Sequence, residues 1–189
     1  MSFRSFVIAL FLIASSVLPA QETDATGILR TILKNYYKTE KPVYKGRQQL
    51  LFFFCDKANN NEEIFEAVQN LKLPQATVKQ IRNTVLTDLS PASWQQELEA
   101  IYKDDQTKLQ MKINDCLLVE QYQERRAKLN LNNQRLMIVS KPVLYDNNSK
   151  ALVKVTFYRT IEHNNGAVVR MEKINGVWTI KEFLNEWAT

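Results

Sequence analysis

The sequence predicts an α+β fold, with N-terminal helices packed on a C-terminal antiparallel meander of four to five strands. Between about residues 24 and 130, apolar residues recur three and four positions apart, which is the spacing of one helix face. From about residue 134 to residue 189 the spacing changes to two, and turns rich in Asn and Gly separate the apolar runs. Apolar residues make up 45% of the chain, and we expect residues 21–189 to form one domain.

The first twenty residues have the pattern of a secretory signal peptide. Within residues 1–20, a cation at Arg4 precedes the apolar run Phe6–Ala14, and small residues follow it. That run is too short for the ~30 Å core of a bilayer, so we expect cleavage, with an uncleaved anchor as the alternative. Cleavage after Ala20 competes with cleavage after Ser16. The sequence therefore predicts a periplasmic or secreted protein with no membrane span after cleavage.

The first predicted helix carries an apolar stripe with a row of cations beside it. The stripe consists of Ile28, Leu29, Ile32, Leu33, Tyr36 and Tyr37, and the cationic row of Arg30, Lys34 and Lys38. Pro42 is expected to end this helix. The next run, Leu50–Cys55, is continuously apolar, which suits a buried strand as well as a buried helix turn. Of these two structures we favour the helix.

Four further helices are predicted before residue 130. Asn59–Asn61 followed by Glu62-Glu63 has the spacing of a capping box. Pro74 and Pro91 are expected at first helical positions, the latter with Ser90 as its N-cap. The longest helix is expected from about Thr107 to Leu129. The inward residues of the four helices are Ile64, Val68 and Leu71; Val78, Ile81 and Val85; Trp94, Leu98 and Ile101; and Leu109, Ile113, Cys116 and Leu117.

The two cysteines are expected to form a disulfide, because an exported protein folds in an oxidising compartment. Cys55 ends an apolar run, and Cys116 lies on the apolar face of the long predicted helix, so both can meet in the core. The bond would close a loop of about sixty residues, for which the chain-entropy estimate is about 4 kcal/mol of stabilisation. Two buried free thiols are the alternative.

Five strand-like runs follow residue 133, separated by turn residues. They are Leu136–Val139, Val143–Tyr145, Ala151–Ile161, Ala167–Lys173 and Val177–Ile180. Asn175-Gly176 is the sequence most typical of a two-residue hairpin turn, and it places Met171 opposite Ile180 and Lys173 opposite Trp178. Pro142 donates no ladder hydrogen bond, so its strand is expected at an edge or at a bulge.

The preceding hairpin has two possible registers, and the apolar pattern favours one of them. A three-residue loop at residues 164–166 puts Ile161 opposite Val169 and Phe157 opposite Lys173. A two-residue turn at Asn165-Gly166 would mix polar and apolar residues on one face, so we favour the longer loop. The resulting core face consists of Val153, Val155, Phe157, Ile161, Val169, Met171, Trp178 and Ile180.

The sequence offers little for catalysis. His163 is the only histidine and precedes a turn, which argues against Ser-His, Cys-His and multi-histidine metal sites. The adjacent carboxylates Asp104-Asp105 and Glu62-Glu63 point apart on a helix, and the four glycines form no nucleotide-binding loop. We therefore expect a protein that is not an enzyme and that needs no cofactor or metal; a hydrolase with a carboxylate pair is a distant alternative.

Two sets of residues are candidates for binding. The first is a small-ligand pocket at the open end of the sheet, formed by Phe157, Arg159, Lys173 and Trp178. The second is a basic, Tyr-rich partner face on the first helix, formed by Arg30, Lys34, Tyr37 and Lys38. The leading hypothesis is an exported, non-enzymatic binding protein of unknown ligand. The alternative is an envelope interaction module, of the inhibitor or immunity kind, that uses the basic face; nucleic acid is not an expected partner.

The last fifty residues resemble a known group of proteins. Lys141-Pro142-Val143, Ala151-Leu152-Val153 and Lys173–Ile180 look like the ends of uncharacterised small exported proteins of Bacteroidota. The Asn-Gly-x-Trp hairpin is also similar to that of domains resembling nuclear transport factor 2, in which a helix-capped curved sheet encloses a pocket. The resemblance implies an exported α+β domain with no assigned activity. The many leading helices of this chain depart from the nuclear-transport-factor pattern.

Overall fold

The computed structural model describes residues 22–39, 51–59, 62–104, 116–128, 130 and 135–189. The signal peptide, the expected helix end at Pro42 and the capping residue Asn60 lie outside the described residues. The described helices are α1 (Asp24–Thr39), α2 (Glu62–Asn70), α3 (Gln75–Thr87), α4 (Gln95–Asp104) and α5 (Val119–Lys128). The described strands are β1 (Leu51–Phe54), β2 (Cys116–Leu117), β3 (Arg135–Val139), β4 (Val143–Tyr145), β5 (Lys150–Thr160), β6 (His163–Ile174) and β7 (Val177–Ala188). The α+β class is confirmed.

The sheet is larger than predicted and mixed. Seven strands form it in the order β2-β1-β3-β5-β6-β7, and β4 also pairs with β5. The predicted antiparallel arrangement is confirmed for the C-terminal strands β3–β7, but β1 and β2, which come from the predicted helical part, extend the sheet. β1 pairs in parallel with both β2 and β3. Such pairings join distant parts of the chain and leave no turn signature in the sequence.

The helix favoured at Leu50–Cys55 is wrong, since residues 51–54 form β1. Phe52 and Phe53 are both buried but belong to different hydrophobic clusters. Consecutive side chains of a strand point to opposite faces, so a strand covered on both faces is continuously apolar. The continuously apolar run therefore could not distinguish a buried helix from a buried strand. This segment forms a strand because helices pack on both faces of the sheet to which it belongs.

The long helix predicted at Thr107–Leu129 is wrong at Cys116 and Leu117, and its residues 107–115, with the inward Leu109 and Ile113, lie outside the described residues. Cys116 and Leu117 form the short strand β2, and α5 begins only at Val119. The predicted disulfide is nevertheless confirmed: Cys55 and Cys116 are bonded, with their Cα atoms 4.7 Å apart. The bond joins Cys55, the residue after β1, to Cys116 of the neighbouring strand β2, and both residues are half-buried. Cys116 therefore lies on a strand and not on the predicted helix face.

The helix starts at the two prolines differ from the prediction. Pro74 precedes α3 directly, with an extended ψ of 142°, and is therefore the capping residue and not the first helical one. α4 begins at Gln95, four residues after Pro91, and the Gln95 amide donates to the Ser93 hydroxyl oxygen at 3.1 Å. Ser93, rather than the predicted Ser90, therefore satisfies a free amide at the start of α4.

The predicted hairpin at Asn175-Gly176 is confirmed. Both turn residues have positive φ, 50° for Asn175 and 81° for Gly176, as a type I′ turn requires. Met171 pairs with Ile180 and Lys173 pairs with Trp178, in the predicted register. The turn chemistry is local, so the sequence was sufficient to specify it.

The predicted register of the β5–β6 hairpin is wrong. The turn lies at residues 161–162, and β6 already begins at His163, so Val153 pairs with Val169 and Phe157 with Asn165. Ile161, which was placed in the core, is 85% exposed. Gly166 lies inside β6, where the ring of Trp187 covers it and a Cβ would overlap that ring. This glycine allows a close approach within the sheet and does not form a turn.

Helices cover both faces of the sheet. On the α1 face, α1 and α4 bury one cluster of residues: Ile28, Leu29, Ile32, Leu33, Trp94, Leu98, Ile101, Met137, Val153, Val155, Val169, Met171 and Trp178. On the opposite, α2 face, α2 and α3 bury Leu152 and Val168, and α5 buries Leu136 through Tyr122. Apart from Ile161, the predicted core face is correct. Among the described helices, none is both long and apolar enough to cross a membrane.

Candidate ligand-binding cavity

A cavity of about 370 Å³ lies on the α1 face, between the second half of α1 and the sheet. Its apolar lining is contributed by Ile32, Met137, Val155, Phe157, Ala167, Val169, Ile180 and Phe183. Polar lining comes from Asn35 and Asn165, and Glu186 is at the exposed side. The cavity therefore combines an apolar interior with a few hydrogen-bonding groups, as small-molecule sites do.

The N-terminal half of α1 is fixed to the β6–β7 hairpin by a set of polar contacts that we call the latch. Asp24 Oδ1 accepts hydrogen bonds from Lys173 Nζ at 2.6 Å and from Trp178 Nε1 at 3.1 Å. The Thr31 hydroxyl donates to the Trp178 carbonyl oxygen at 3.0 Å. At Gly27 the helix has no side chain, and a Cβ there would lie 2.9 Å from Trp178 Cδ1. The latch thus sets the position of the helix that roofs the cavity.

Aromatic side chains form part of the cavity wall. The Tyr36 ring of α1 stacks on the Phe157 ring of β5, with centroids 4.6 Å apart and planes inclined by 21°. This stack joins the helix to the sheet beside the cavity. Phe183 on β7 is 46% exposed although it is apolar, and it lines the same cavity. An exposed aromatic ring at the mouth of an apolar cavity offers contact area to an entering ligand.

The charge at the cavity is low and negative. Glu186 is the one charged side chain among the lining residues that the structure describes. Asn165 Oδ1 accepts a hydrogen bond from Arg135 Nη1 at 3.2 Å. This guanidinium group therefore contacts a lining residue but does not itself line the cavity. An apolar ligand with an uncharged polar group therefore matches the lining better than a multiply charged one.

The four residues predicted to bind a ligand do not converge on one pocket. Phe157 lines the cavity, whereas Lys173 and Trp178 belong to the latch at the other end of α1. Arg159 lines a separate groove beside α5, because the β5–β6 register shifts between Tyr158 and Thr160. The sequence therefore identified one cavity residue and two of the residues that position its roof.

The predicted partner face on α1 is described only in part. Arg30 Nε pairs with Glu22 Oε1 at 2.8 Å, and its side chain is 17% exposed. Lys34 lies exposed on the same helix, while the side chains of Tyr37 and Lys38 lie outside the described residues. Binding of an envelope protein through this face stays a prediction.

The cavity residues that sequence reasoning missed lie mainly on β7. The predicted last strand stopped at Ile180, whereas β7 continues to Ala188 and supplies Phe183 and Glu186. Two shifts in the β6–β7 register, one of them at Arg170/Met171, interrupt the strict alternation in this strand. The run Phe183-Leu184 followed by Trp187 was the available signal that the strand continued.

The histidine and the acidic side chains that the structure describes form no metal-binding group. His163 is exposed at the start of β6, and its Nδ1 lies 3.1 Å from the Thr160 hydroxyl. Across the described residues, no group of three or more His, Cys, Asp and Glu side chains could hold a metal ion.

Comparison with protein-family models, with curated proteins and with solved structures finds no match for this chain. The cavity, its lining and the disulfide are therefore the features of the molecule that indicate a function. The cavity indicates the kind of ligand that the protein can bind, and the disulfide indicates an oxidising environment.

Proposed function

We propose that the protein is an exported, non-enzymatic binding protein whose ligand is small, largely apolar and held in the cavity beneath α1. The observation that carries the proposal is the solvent-accessible, mainly apolar cavity of about 370 Å³ between α1 and the sheet. Water in such a cavity leaves apolar side chains hydrated, so a ligand that covers them gains the hydrophobic free energy of their burial. Its volume lies toward the lower end of the range for small-molecule sites, roughly 300–1,000 Å³.

The lining supports binding rather than catalysis. General acid–base chemistry needs a pair of positioned proton-transfer groups within hydrogen-bond reach of the reacting atom. The described lining offers Glu186 at the exposed side and the two amides Asn35 and Asn165. These groups orient a ligand through one or two hydrogen bonds, while the apolar walls supply the affinity.

The same proposal places the protein in the periplasm or outside the cell. The bonded pair Cys55 and Cys116 persists in an oxidising compartment, and the first twenty residues predict export to one. A binding protein there takes up its ligand from the envelope or from the surrounding medium. The resemblance to domains like nuclear transport factor 2 agrees with a helix-capped pocket, and it remains part of the proposal.

Filling the cavity tests the proposal directly. Ala167 is buried on β6 and lines the cavity, so Ala167→Leu puts three additional carbon atoms into it without removing a core contact. Binding is measured with Nile red, an uncharged dye whose fluorescence rises in an apolar environment, and by its displacement with uncharged aliphatic alcohols. The wild type should bind the dye, and Ala167→Leu should weaken binding by roughly tenfold or more.

The matched control is Ala100→Leu, which adds the same atoms at an exposed position of α4. This control should bind as the wild type does, and denaturant unfolding should show that all three proteins are folded. No saturable dye binding by the wild type, or equal binding by both leucine variants, would contradict a ligand site in this cavity.

A further inference from the structure

A second groove, distinct from the cavity, lies on the α2 face between α5 and the β5–β6 turn. It has a volume of about 600 Å³ and is lined by Gln123, Arg126, Tyr158, Arg159, Thr160 and Glu162, among others. Tyr158 packs with Tyr122 on the α2 face, whereas its neighbour Phe157 packs with Tyr36 on the α1 face. The sheet therefore separates the groove from the cavity, and a ligand in one does not occupy the other.

Two arginines converge on this groove. Arg126 lies in the last turn of α5, and its Nη1 donates to the Arg159 carbonyl oxygen at 2.6 Å. This hydrogen bond holds the Arg126 side chain at the register shift of β5, directly beside Arg159. Burial raises the pKa of the Tyr122 hydroxyl, and the positive charges of Arg126 and Arg159 act on that pKa in the opposite direction. The two arginines therefore both act electrostatically on the Tyr122 hydroxyl.

Neither guanidinium has a carboxylate partner among the described residues. Arg30 and Arg170 form ion pairs with glutamates, but no carboxylate oxygen of the described residues lies within 4.0 Å of Arg126 or Arg159. Glu162 lines the groove without reaching either of them. Two neighbouring cations without a counter-charge repel each other, and an anion between them removes that repulsion.

We propose that Arg126 and Arg159 bind an oxyanion, the phosphate or carboxylate group of a small ligand, in this groove. The planar guanidinium carries five N–H donors and matches two oxygens of a phosphate or carboxylate at once. Gln123 and Thr160 add uncharged polar groups to the lining. The exposed Ile161 at the edge of the groove offers an apolar contact to the remainder of the ligand.

The experiment is a titration of the folded, disulfide-bonded protein with inorganic phosphate and with citrate, followed by amide chemical shifts. Ionic strength is held constant with sodium chloride, so that unspecific screening does not contribute. We expect saturable shifts confined to α5 and the β5–β6 turn. Tighter binding of phosphate indicates a phosphate ester as the ligand head, and tighter binding of citrate indicates a carboxylate.

Arg159→Gln should weaken binding of the tighter anion by roughly tenfold, because a bidentate charged contact is lost. Arg159→Lys should bind more tightly than Arg159→Gln but less tightly than the wild type. Lysine carries the positive charge but lacks the planar guanidinium that contacts two oxygens at once. The matched control is Arg82→Gln on α3, where the guanidinium lies over the Phe65 ring, and it should leave binding unchanged. Arg159→Gln is chosen because the hydrogen bond from Arg126 uses the backbone carbonyl of Arg159, which the substitution keeps. The proposed oxyanion site would be overturned by amide chemical shift changes that do not saturate. Equal losses of anion affinity in Arg159→Gln and Arg82→Gln would also overturn it.

Discussion

Replacing Gly27 by alanine should destabilise the protein, although the same change stabilises most helices. In an exposed helix interior, alanine is more favourable than glycine by about 0.5–1 kcal/mol. Gly27 lies in α1 against Trp178, and a Cβ there would be 2.9 Å from the indole Cδ1. Real Cβ atoms do not approach a ring carbon so closely, so the ring or the helix must move.

The expected cost follows from what fixes the indole ring. Trp178 is 4% exposed, and its Nε1 donates to Asp24 at 3.1 Å. Inserting a methyl group into such a packed site costs about 1–3 kcal/mol, and a weakened hydrogen bond costs about 1 kcal/mol more. After the helix-propensity gain is subtracted, we expect Gly27→Ala to lower the free energy of unfolding by about 1–3.5 kcal/mol.

A double-mutant cycle separates the clash from the helix propensity. Trp178→Val keeps a strand-forming residue but removes the ring atoms that Cβ would meet. In that background Gly27→Ala should stabilise the protein by about 0.5–1 kcal/mol, so the effect changes sign. Urea unfolding followed by circular dichroism measures all four proteins. If Gly27→Ala were equally stabilising in both backgrounds, the close approach of α1 and β7 would be refuted.

The remaining predictions concern the hairpin, the disulfide and a buried hydroxyl. Gly176→Val should cost about 1–3 kcal/mol, because a β-branched residue is forced to a φ of 81°. Trp178→Ala should cost about 3–5 kcal/mol in urea unfolding and Val177→Ala less than about 1, since Val177 is 65% exposed; equal losses would show that the faces are misassigned. Replacing both cysteines by alanine should lower the unfolding free energy by about 2–4 kcal/mol, and an unchanged urea midpoint would contradict a structural role for the bond. The Tyr145 hydroxyl is buried and has no hydrogen-bond partner among the residues that the structure describes, and burial raises its pKa above the ordinary value of 10.0. The unfolded tyrosine ionises first, so stability is lost as pH rises above about 10, and Tyr145→Phe should reduce that loss while keeping or raising stability at pH 7. A pH profile for Tyr145→Phe identical to that of the wild type would refute the assignment.

The features that the sequence predicted correctly depend on local signals. The inward residues of α1 repeat at helical spacing, and Ile28, Leu29, Ile32 and Leu33 are all buried as expected. Asn175-Gly176 specified both the turn and the register of β6 and β7, because its left-handed residues fit one turn type. Such signals need no knowledge of the rest of the chain.

The features that it missed depend on distant parts of the chain. β1 pairs in parallel with β2 and β3, which come more than sixty residues later, and its run of apolar residues is compatible with either structure. Gly166 was interpreted as a turn residue, but it is required by the Trp187 ring that packs on it from β7. Lys154 was not singled out, yet it is buried on the α2 face, paired with Glu63 and 5.0 Å above the Trp187 ring.

The contacts along α1 explain why the cavity between this helix and the sheet stays open. At the N-terminal end, Gly27 allows close contact with Trp178, and the Asp24 hydrogen bonds fix that contact. Further along the helix, the sheet presents the small Ala167 at the cavity. A helix free to settle onto the sheet would close this volume, because close packing is favourable. The latch opposes that collapse. Gly27→Ala should therefore reduce both the affinity for the dye and the free energy of unfolding. Val177→Ala should reduce neither of these two quantities appreciably.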